Sequence, residues 1–322
     1  MPGKVSDIVN GAIDKLVSEN LSINPNETMT ELTKDIMDGN FRKSPMNYTG
    51  GKHKLLKQLL PLFPKDINTF VDLFCGGGDI FANVKARRVI ANDTNTKVIE
   101  FYNTLKTNSI EDILGYIDAA IAKFGLTIDN ADGYNEFRNY YNHEENSWTK
   151  PIDLFILIAY SFNHQIRFNQ KGDFNMPFGK NRSYFNETIR KNLIEFHKVI
   201  WNDNVYFMDI DFRKFNIDKL GNGDFVYCDP PYLITWATYN EQGGWGQKEE
   251  DDLYKLLDRL NAQGVKFGMS NVMMNKGRTN NTLIKWAEKY NVHHLNNTYS
   301  NCSYHALDRN TKGTDEVFIT NY

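Results

Sequence analysis

The sequence predicts an α/β protein built on a mostly parallel sheet, and two patterns carry that prediction. Short β-rich apolar runs alternate with helical segments, and several of the runs end abruptly in an acid or a glycine cluster. Strands that alternate with helices indicate a sheet covered on both faces. In such sheets ligands bind beyond the carboxyl ends of the strands. The acids and glycines after residues 74, 92 and 228 fall at those ends.

Residues 1–44 read as an extension of two short surface helices. DIVNGAIDKLVSEN sets Ile8, Ile13, Leu16 and Val17 at helical spacing, and ETMTELTKDIMDG continues beyond Pro25. Residues 45–107 hold the first strands, TFVDLF (69–74) and RRVIAND (87–93), with a helix following to about Lys106. Between 108 and 199 strand alternation stops. ILGYIDAAIAKFG and KPIDLFILIAYSFN read as helices, and the polar stretch HQIRFNQKGDFNMPFGKNRSY follows. From 200 to 322 strands return: NVYFMDID, DFVYCD, GVKFGMS, NVHHLNNTY and DEVFITNY, separated by helices such as EEDDLYKLLDRLNAQ and NTLIKWAEKY.

Composition narrows the class. A chain of 322 residues with 41% apolar and 24% charged content can build a real core, in two lobes or one domain with an insertion. A net charge of -3 confines any anion-binding surface to a local patch. Cys75, Cys228 and Cys302 lie far apart without CxxC spacing, so neither zinc nor a disulfide framework is indicated. No apolar run approaches the ~18 residues of a spanning helix, and the first twenty residues lack a signal-peptide core. The expected location is the cytoplasm.

Three motifs carry chemistry. In VDLFCGGGD, Gly76, Gly77 and Gly78 allow a tight turn and close approach to a ligand, but neither GxGxxG nor a phosphate-cradling Lys-Ser/Thr is present. Asp93 ends the next strand, where an acid is placed to bind a ribose. NYTGGK (47–52) could make a loop that closes over a small molecule, but by itself reads first as a helix start capped by Thr49 or a glycine. Asp229-Pro230-Pro231-Tyr232 holds two acceptors, the carboxylate and the Pro230 carbonyl, on a backbone that two prolines stiffen. An NH2 group suits such a pair, and Tyr232 adds a face for stacking on a heteroaromatic ring. From 164 to 191, six basic residues face two acids, net +4, with aromatics interleaved. Charge so clustered suggests a phosphate-contacting surface, though a solvated loop has the same composition. His293 and His294 are neighbours on a strand and point to opposite faces, which suits structure rather than a metal.

Together NYTGGK, FVDLFCGGGD, QIRFNQKGDFNMPFGK, DPPYLIT, GVKFGMSNV and GTDEVFITNY resemble the Dam-type DNA adenine-N6 methyltransferases, most of all those of T-even phages, over residues 45–322. The resemblance implies a Rossmann-like S-adenosylmethionine-dependent sheet, mostly parallel with its last strand antiparallel. It further implies an inserted, mainly helical target-recognition domain at 108–199 between catalytic segments 45–107 and 200–322. S-adenosylmethionine is the implied cofactor and double-stranded DNA the implied partner, without metal or membrane. Tyr48, Gly51 and Lys52 would meet the cofactor's methionine end or adjoining backbone, and Asp72, Phe74 and Gly76 would border the pocket. Asp93 would bind the ribose, and Phe212 would lie against the cofactor's adenine. Asp229, Pro230, Pro231 and Tyr232 would receive a flipped-out target adenine, with Asp229 also at the cofactor's edge. Arg167 matches the guanine-reading arginine. Phe162, Asn163, Asn169, Lys171, Pro177, Lys180 and Arg182 would contact DNA.

The implied activity is methylation of adenine N6 within GATC or a related site, in isolation or beside a restriction nuclease. Cytosine-N4 methylation is the nearest rival, since another exocyclic amine suits the same acceptors. Cytosine-C5 chemistry needs a cysteine after proline, and no Pro-Cys pair occurs. A catalytically silent DNA-binding protein of the same fold is the reading from another class. The extension 1–44 and the glycine-rich segment WATYNEQGGWGQKEE, a candidate cover for the flipped base, depart from the compact phage pattern.

Overall fold

The computed structural model describes residues 39–143, 147–235, 244–296 and 313–322. The helices expected before residue 39, Cys302, and the part of the glycine-rich segment at 236–243 lie outside them.

The sheet runs in the order β3-β2-β1-β4-β5-β8-β7, with a short β6 (Arg278–Thr279) on β5. Strands β1 (Thr69–Asp72), β2 (Arg88–Asn92), β3 (Val205–Met208), β4 (Phe225–Cys228) and β5 (Lys266–Asn275) are parallel neighbours. β8 (Thr314–Thr320) enters antiparallel between β5 and β7 (Asn291–Leu295). The expected mostly parallel sheet with an antiparallel last strand is therefore present.

Alternation along each strand divides the core between two faces. On β1, Phe70 joins one apolar cluster and Val71 the other; on β8, Phe318 and Val317 divide the same way. β1 and β4 are buried along their whole length, as central strands of a covered sheet must be. Helix α1 (Leu56–Leu59), within helical turns from His53 to Leu62, packs its Leu56 and Leu59 into the first cluster.

Between β2 and β3 the chain forms α2 (Thr96–Thr107), α3 (Ile110–Lys123), α4 (Ala131–His143), α5 (Lys150–Tyr160) and α6 (Glu187–Ile200). Side-chain caps fix two of their starts: Ser109 accepts from the Asp112 N–H and Asn186 from the Ile189 N–H. Helix α5 is apolar all round, and its Ile152 through Tyr160 are buried. Phe155 of α5 stacks on Phe101 of α2, so the inserted helices share one apolar cluster with the sheet. The opposite face is covered by α7 (Gln247–Ala262) and α8 (Asn281–Ala287). Among the described residues no helix is long and apolar enough to cross a membrane.

This topology places the site. Strand order reverses between β1 and β4, and the Leu73 N–H donates to the Tyr227 carbonyl across that seam (2.9 Å). Asp72 and Asp229 thus leave adjacent strands at the switch point, where open α/β sheets bind ligands. Because β8 runs the other way, its amino-terminal half reaches the same end, with Glu316 opposite Val272.

Candidate active site

The glycine turn after β1 is built to lie flat. Gly78 has φ +85°, and a Cβ there would meet Phe196 and Phe81 at 2.7 Å. A Cβ on Gly77 would come within 2.8 Å of the Tyr48 Cβ, so residues 47–52 pack directly over the turn. Asp93 holds the turn from the other side. Its Oδ2 accepts from the Gly76 N–H and its Oδ1 from the Asn95 N–H, both at 2.8 Å. Burial pushes the Asp93 carboxyl up, and these two N–H groups oppose the shift. Each oxygen keeps capacity for one more donor, as binding a diol requires. Asn95 in turn donates to the Tyr48 hydroxyl (3.3 Å), and Tyr102 donates to the Gly76 carbonyl (2.6 Å).

Asp72 is the anomaly. It is 1% exposed, and among the described residues neither carboxylate oxygen has a partner in hydrogen-bonding geometry. Burial pushes its carboxyl well above the usual range; Asp229 and Asp93 add repulsion, and the nearby Phe81 N–H relieves it only in part. Unsatisfied buried carboxylates are costly and call for an explanation. Buried acids beside a glycine turn fit a ligand that carries positive charge and N–H donors.

Asp229 leaves β4 after the fully buried Cys228. Its Oδ2 pairs with the Lys52 Nζ at 2.7 Å, and its Oδ1 accepts from the Tyr232 hydroxyl at 2.9 Å. The same hydroxyl lies 3.2 Å from Glu316, and Lys52 is 3.9 Å from that acid and 5.1 Å from the Tyr232 ring centre. Burial raises the Asp229 carboxyl, the Lys52 ammonium pulls it back, and Glu316 pushes the same way as burial. Pro230 is buried and Pro231 half-buried, and the Thr235 N–H and hydroxyl both donate to the Tyr232 carbonyl (3.2 and 3.1 Å). The tyrosine is thereby fixed at both ends.

Residues 47–52 correct the reading as a capped helix start. The residue before the first turn is Lys52, without a side-chain cap; neither Thr49 nor a glycine takes that place. Its buried ammonium instead donates to the Gly50 carbonyl (3.1 Å) and reaches Asp229. Gly51 abuts Asp79, whose Oδ1 and Oδ2 accept from the Ser44 and His53 N–H groups (3.2 and 3.3 Å). Phe212 is buried against Phe74 and Trp245, at 5.4 and 5.7 Å between ring centres, forming an aromatic wall. Trp245 is held by Glu250 (2.9 Å), which also accepts from Tyr254 and Asn280.

The basic stretch forms a separate, exposed surface. Ser161 bridges to Phe178 and Phe168 to Phe174, giving a short irregular hairpin. It is bolted to α4: Asn142 exchanges two bonds with the Phe174 backbone, and Tyr134 and Arg138 donate to the Met176 carbonyl. Arg167 is exposed yet oriented, because its Nε and Nη2 donate to the Asn175 side chain and carbonyl (both 2.8 Å). Three of its five N–H groups point elsewhere. Asn169 closes the tip by accepting from the Lys171 and Asp173 N–H groups, both at 2.9 Å. Pro177 accepts from the Phe162 N–H (2.8 Å), and Arg182 lies over the Phe162 ring at 5.3 Å. Lys171 and Lys180 are exposed. Asn163, at φ 56°, accepts at its carbonyl from Asn47 (3.0 Å), tying the hairpin to the glycine loop. Arg190 does not join this surface: it sits on α6, paired with Asp118.

Sequence reasoning missed Glu316, Asn95, Trp245 and Asn175, and took Asp79 only as the end of the CGGGD turn without a role of its own. Glu316 left a signal, an acid at the start of the apolar run EVFI. His294 pairs with Asp315 at 2.7 Å and His293 approaches Thr320 at 3.4 Å; among the described residues no group of three or more His, Cys, Asp or Glu could hold a metal.

Residues 48–301 match the family described as D12 class N6 adenine-specific DNA methyltransferase. The type II methyltransferase M.FokI of Planomicrobium okeanokoites is 46% identical over 287 residues, which cover 88% of this chain and 43% of that protein. The modification methylase StsI of Streptococcus sanguinis is 42% identical over 88% of this chain and 43% of its own length. The DNA adenine methylase of Escherichia coli (strain K12) is 30% identical over 196 residues, 61% of this chain and 66% of that protein. The chain thus spans less than half the length of the first two.

Proposed function

Because the chain belongs to the D12 class of N6 adenine-specific DNA methyltransferases, we propose that it methylates the N6 amine of an adenine flipped out of double-stranded DNA. S-adenosylmethionine, the donor we assign, would supply a methyl group on a positively charged sulfur. The observation that carries the assignment is the orphaned Asp72 carboxylate beside Asp93 and the glycine turn, at the same end of the sheet as Asp229. A cation with an amino group and a ribose suits those acceptors; a phosphate does not. In this reading Tyr48, Gly51 and Lys52 lie toward the methionine end, Asp72, Phe74 and Gly76 line the pocket, and Phe212 belongs to the wall beside the adenine.

The protein's own part is positioning and electrostatics. Flipping the base costs a few kcal/mol of stacking and pairing. Asp229 and the Pro230 carbonyl each accept one amine hydrogen, which raises electron density on N6 and aims its lone pair at the methyl carbon. Bound there, S-adenosylmethionine would supply the methyl carbon with its sulfur as the leaving group, and the extra proton of the methylated amine would pass to solvent. No covalent enzyme intermediate is needed, and orientation supplies most of the gain. Tyr232 stacks on the base. Arg167, oriented by Asn175, reads a guanine through O6 and N7, while Lys171, Lys180 and Arg182 hold phosphates. Phe162, Asn163, Asn169 and Pro177 complete the DNA-facing hairpin, and residues 108–199 form the target-recognition unit around it.

The test is methyl transfer from labelled donor to unmethylated duplex DNA, with Asp229→Ala as control. Transfer by the natural chain and none by the variant is expected; tight DNA binding without transfer would sink the enzyme reading. Mapping the modified positions resolves base and site, with GATC or a related sequence expected. Methyl groups on cytosine N4 would refute the adenine assignment.

A further inference from the structure

One residue at the centre of the site has no part in that scheme. Glu316 is 1% exposed on β8, an acid where strand neighbours are Val317, Phe318 and Ile319. Burying it is expensive unless it serves the groups around it. Among the described residues those groups include Lys52 and the Tyr232 hydroxyl, and both are engaged with Asp229.

That engagement conflicts with the task assigned to Asp229. Its Oδ2 accepts from an ammonium and its Oδ1 from a hydroxyl; each oxygen keeps one acceptor site, but the two strongest donors in the site draw on the charge that must hold and polarise the substrate amine. The Tyr232 hydroxyl has one hydrogen and two carboxylates within reach, at 2.9 and 3.2 Å, so it serves one at a time. Lys52 needs to move only about 1 Å, from 3.9 Å to the ~2.8 Å of a charge-assisted bond, to change carboxylate. Without Glu316, releasing Asp229 would leave the buried ammonium with the Gly50 carbonyl but no counter-charge among the described residues, a cost that a single amine contact would not offset.

We infer that Glu316 is a positioning residue that receives Lys52 and the Tyr232 hydroxyl when the base arrives, freeing Asp229 for the amine. Before the base enters, the two donors favour the ionised form of Asp229 against its burial. Once they shift, Glu316 compensates the ammonium, and Asp229 turns to N6 with its charge intact. The exchange moves two hydrogen bonds and no proton. It depends on β8 running antiparallel, which brings the start of that strand to the carboxyl ends of β4 and β5. The inference rests on Asp229 being the amine acceptor.

Two experiments on the full chain test it. Glu316→Gln, which keeps shape and removes charge, is expected to lower kcat for methyl transfer about 10–100-fold while KM for duplex DNA and Kd for the donor change less than about threefold. A variant at the natural kcat, or one that loses affinity in step with rate, overturns the inference. A crystal structure of the natural chain with duplex DNA and S-adenosylhomocysteine decides the matter even if the variant fails to fold. Lys52 bonded to Glu316, with the amine on Asp229, is the expected result. Lys52 still bonded to Asp229 beside a seated adenine overturns it. No methyl transfer by the natural chain would instead count against the function proposed above.

Discussion

The strand ends and the 161–183 hairpin both present charge, but they hold it in opposite ways. At the strand ends Asp72, Asp229 and Glu316 are buried or nearly so; Lys52 and a hydroxyl reach Asp229 and Glu316, and among the described residues no group bonds Asp72. On the hairpin Arg167, Lys171, Lys180 and Arg182 are exposed, and neutral groups orient them: an asparagine for Arg167, a phenyl ring for Arg182. Buried charge interacts strongly because water does not screen it, so few residues decide the outcome and removing one is costly. Exposed charge is screened, so each residue contributes modestly and the contributions add. In the proposed function the first arrangement carries the chemistry and the second tracks a polyanion.

Four substitutions break or sharpen that contrast. The largest effect is expected at Asp229: Asp229→Ala should lower single-turnover methyl transfer about 10²–10³-fold with DNA affinity nearly unchanged. The natural enzyme's rate should also fall on acidification at a pH above the ordinary aspartate range, because burial raises this carboxyl and the anion is the working form. A rate indifferent to Asp229→Ala would place the buried charge outside the chemistry.

Arg167→Ala comes next, with about 1–3 kcal/mol of discrimination lost at one guanine and little change elsewhere in the site. Methylation of duplexes carrying each substitution at that position measures it. An equal loss on every sequence would make Arg167 another phosphate contact and erase its distinction from the lysines.

Asp72→Asn tests the cost of the orphaned acid. The Asp72 carboxyl is raised in the fold, so the folded state binds its proton more tightly than the unfolded chain. Stability is therefore lost as pH rises from the unfolded value through the folded one. The variant should be more stable by about 1–2 kcal/mol at alkaline pH, with the gap closing on acidification, and should bind the donor poorly. Thermal melts across pH and donor titrations check both; a destabilised variant would mean that Asp72 holds the fold together rather than straining it.

Lys171→Ala should do least. Duplex affinity should fall similarly for all sequences, and the slope of log K against log salt should shrink by about one unit. Altered sequence preference would contradict the division between positioning and reading.

Much of this was readable in the chain because it depends on local chemistry. Proline stiffness at 230–231, glycine freedom at 76–78 and the apolar runs of β1 and β4 are properties of short segments, and they located the strand ends and the acids on them. The hairpin's net charge was equally legible, though composition could not show that Arg190 turns away to Asp118. Residues 47–52 show the limit. Read locally they make a helix start; in the fold Lys52 is a buried cation whose partner stands 177 positions later.

The sequence by itself therefore determined the main strands and their order along the chain, the acids and glycines at their ends, and the basic stretch. It could do so because propensity, periodicity and turn chemistry act over a few residues. Only tertiary structure decided that Asp72 would be left without a partner, that Asn175 would aim Arg167, and that Glu316 would stand beside Lys52 and Tyr232. Each of those depends on which strands become neighbours and in which direction they run. Here an antiparallel β8, paired beside β5, carries an acid 84 positions from Tyr232 to within 3.2 Å of its hydroxyl.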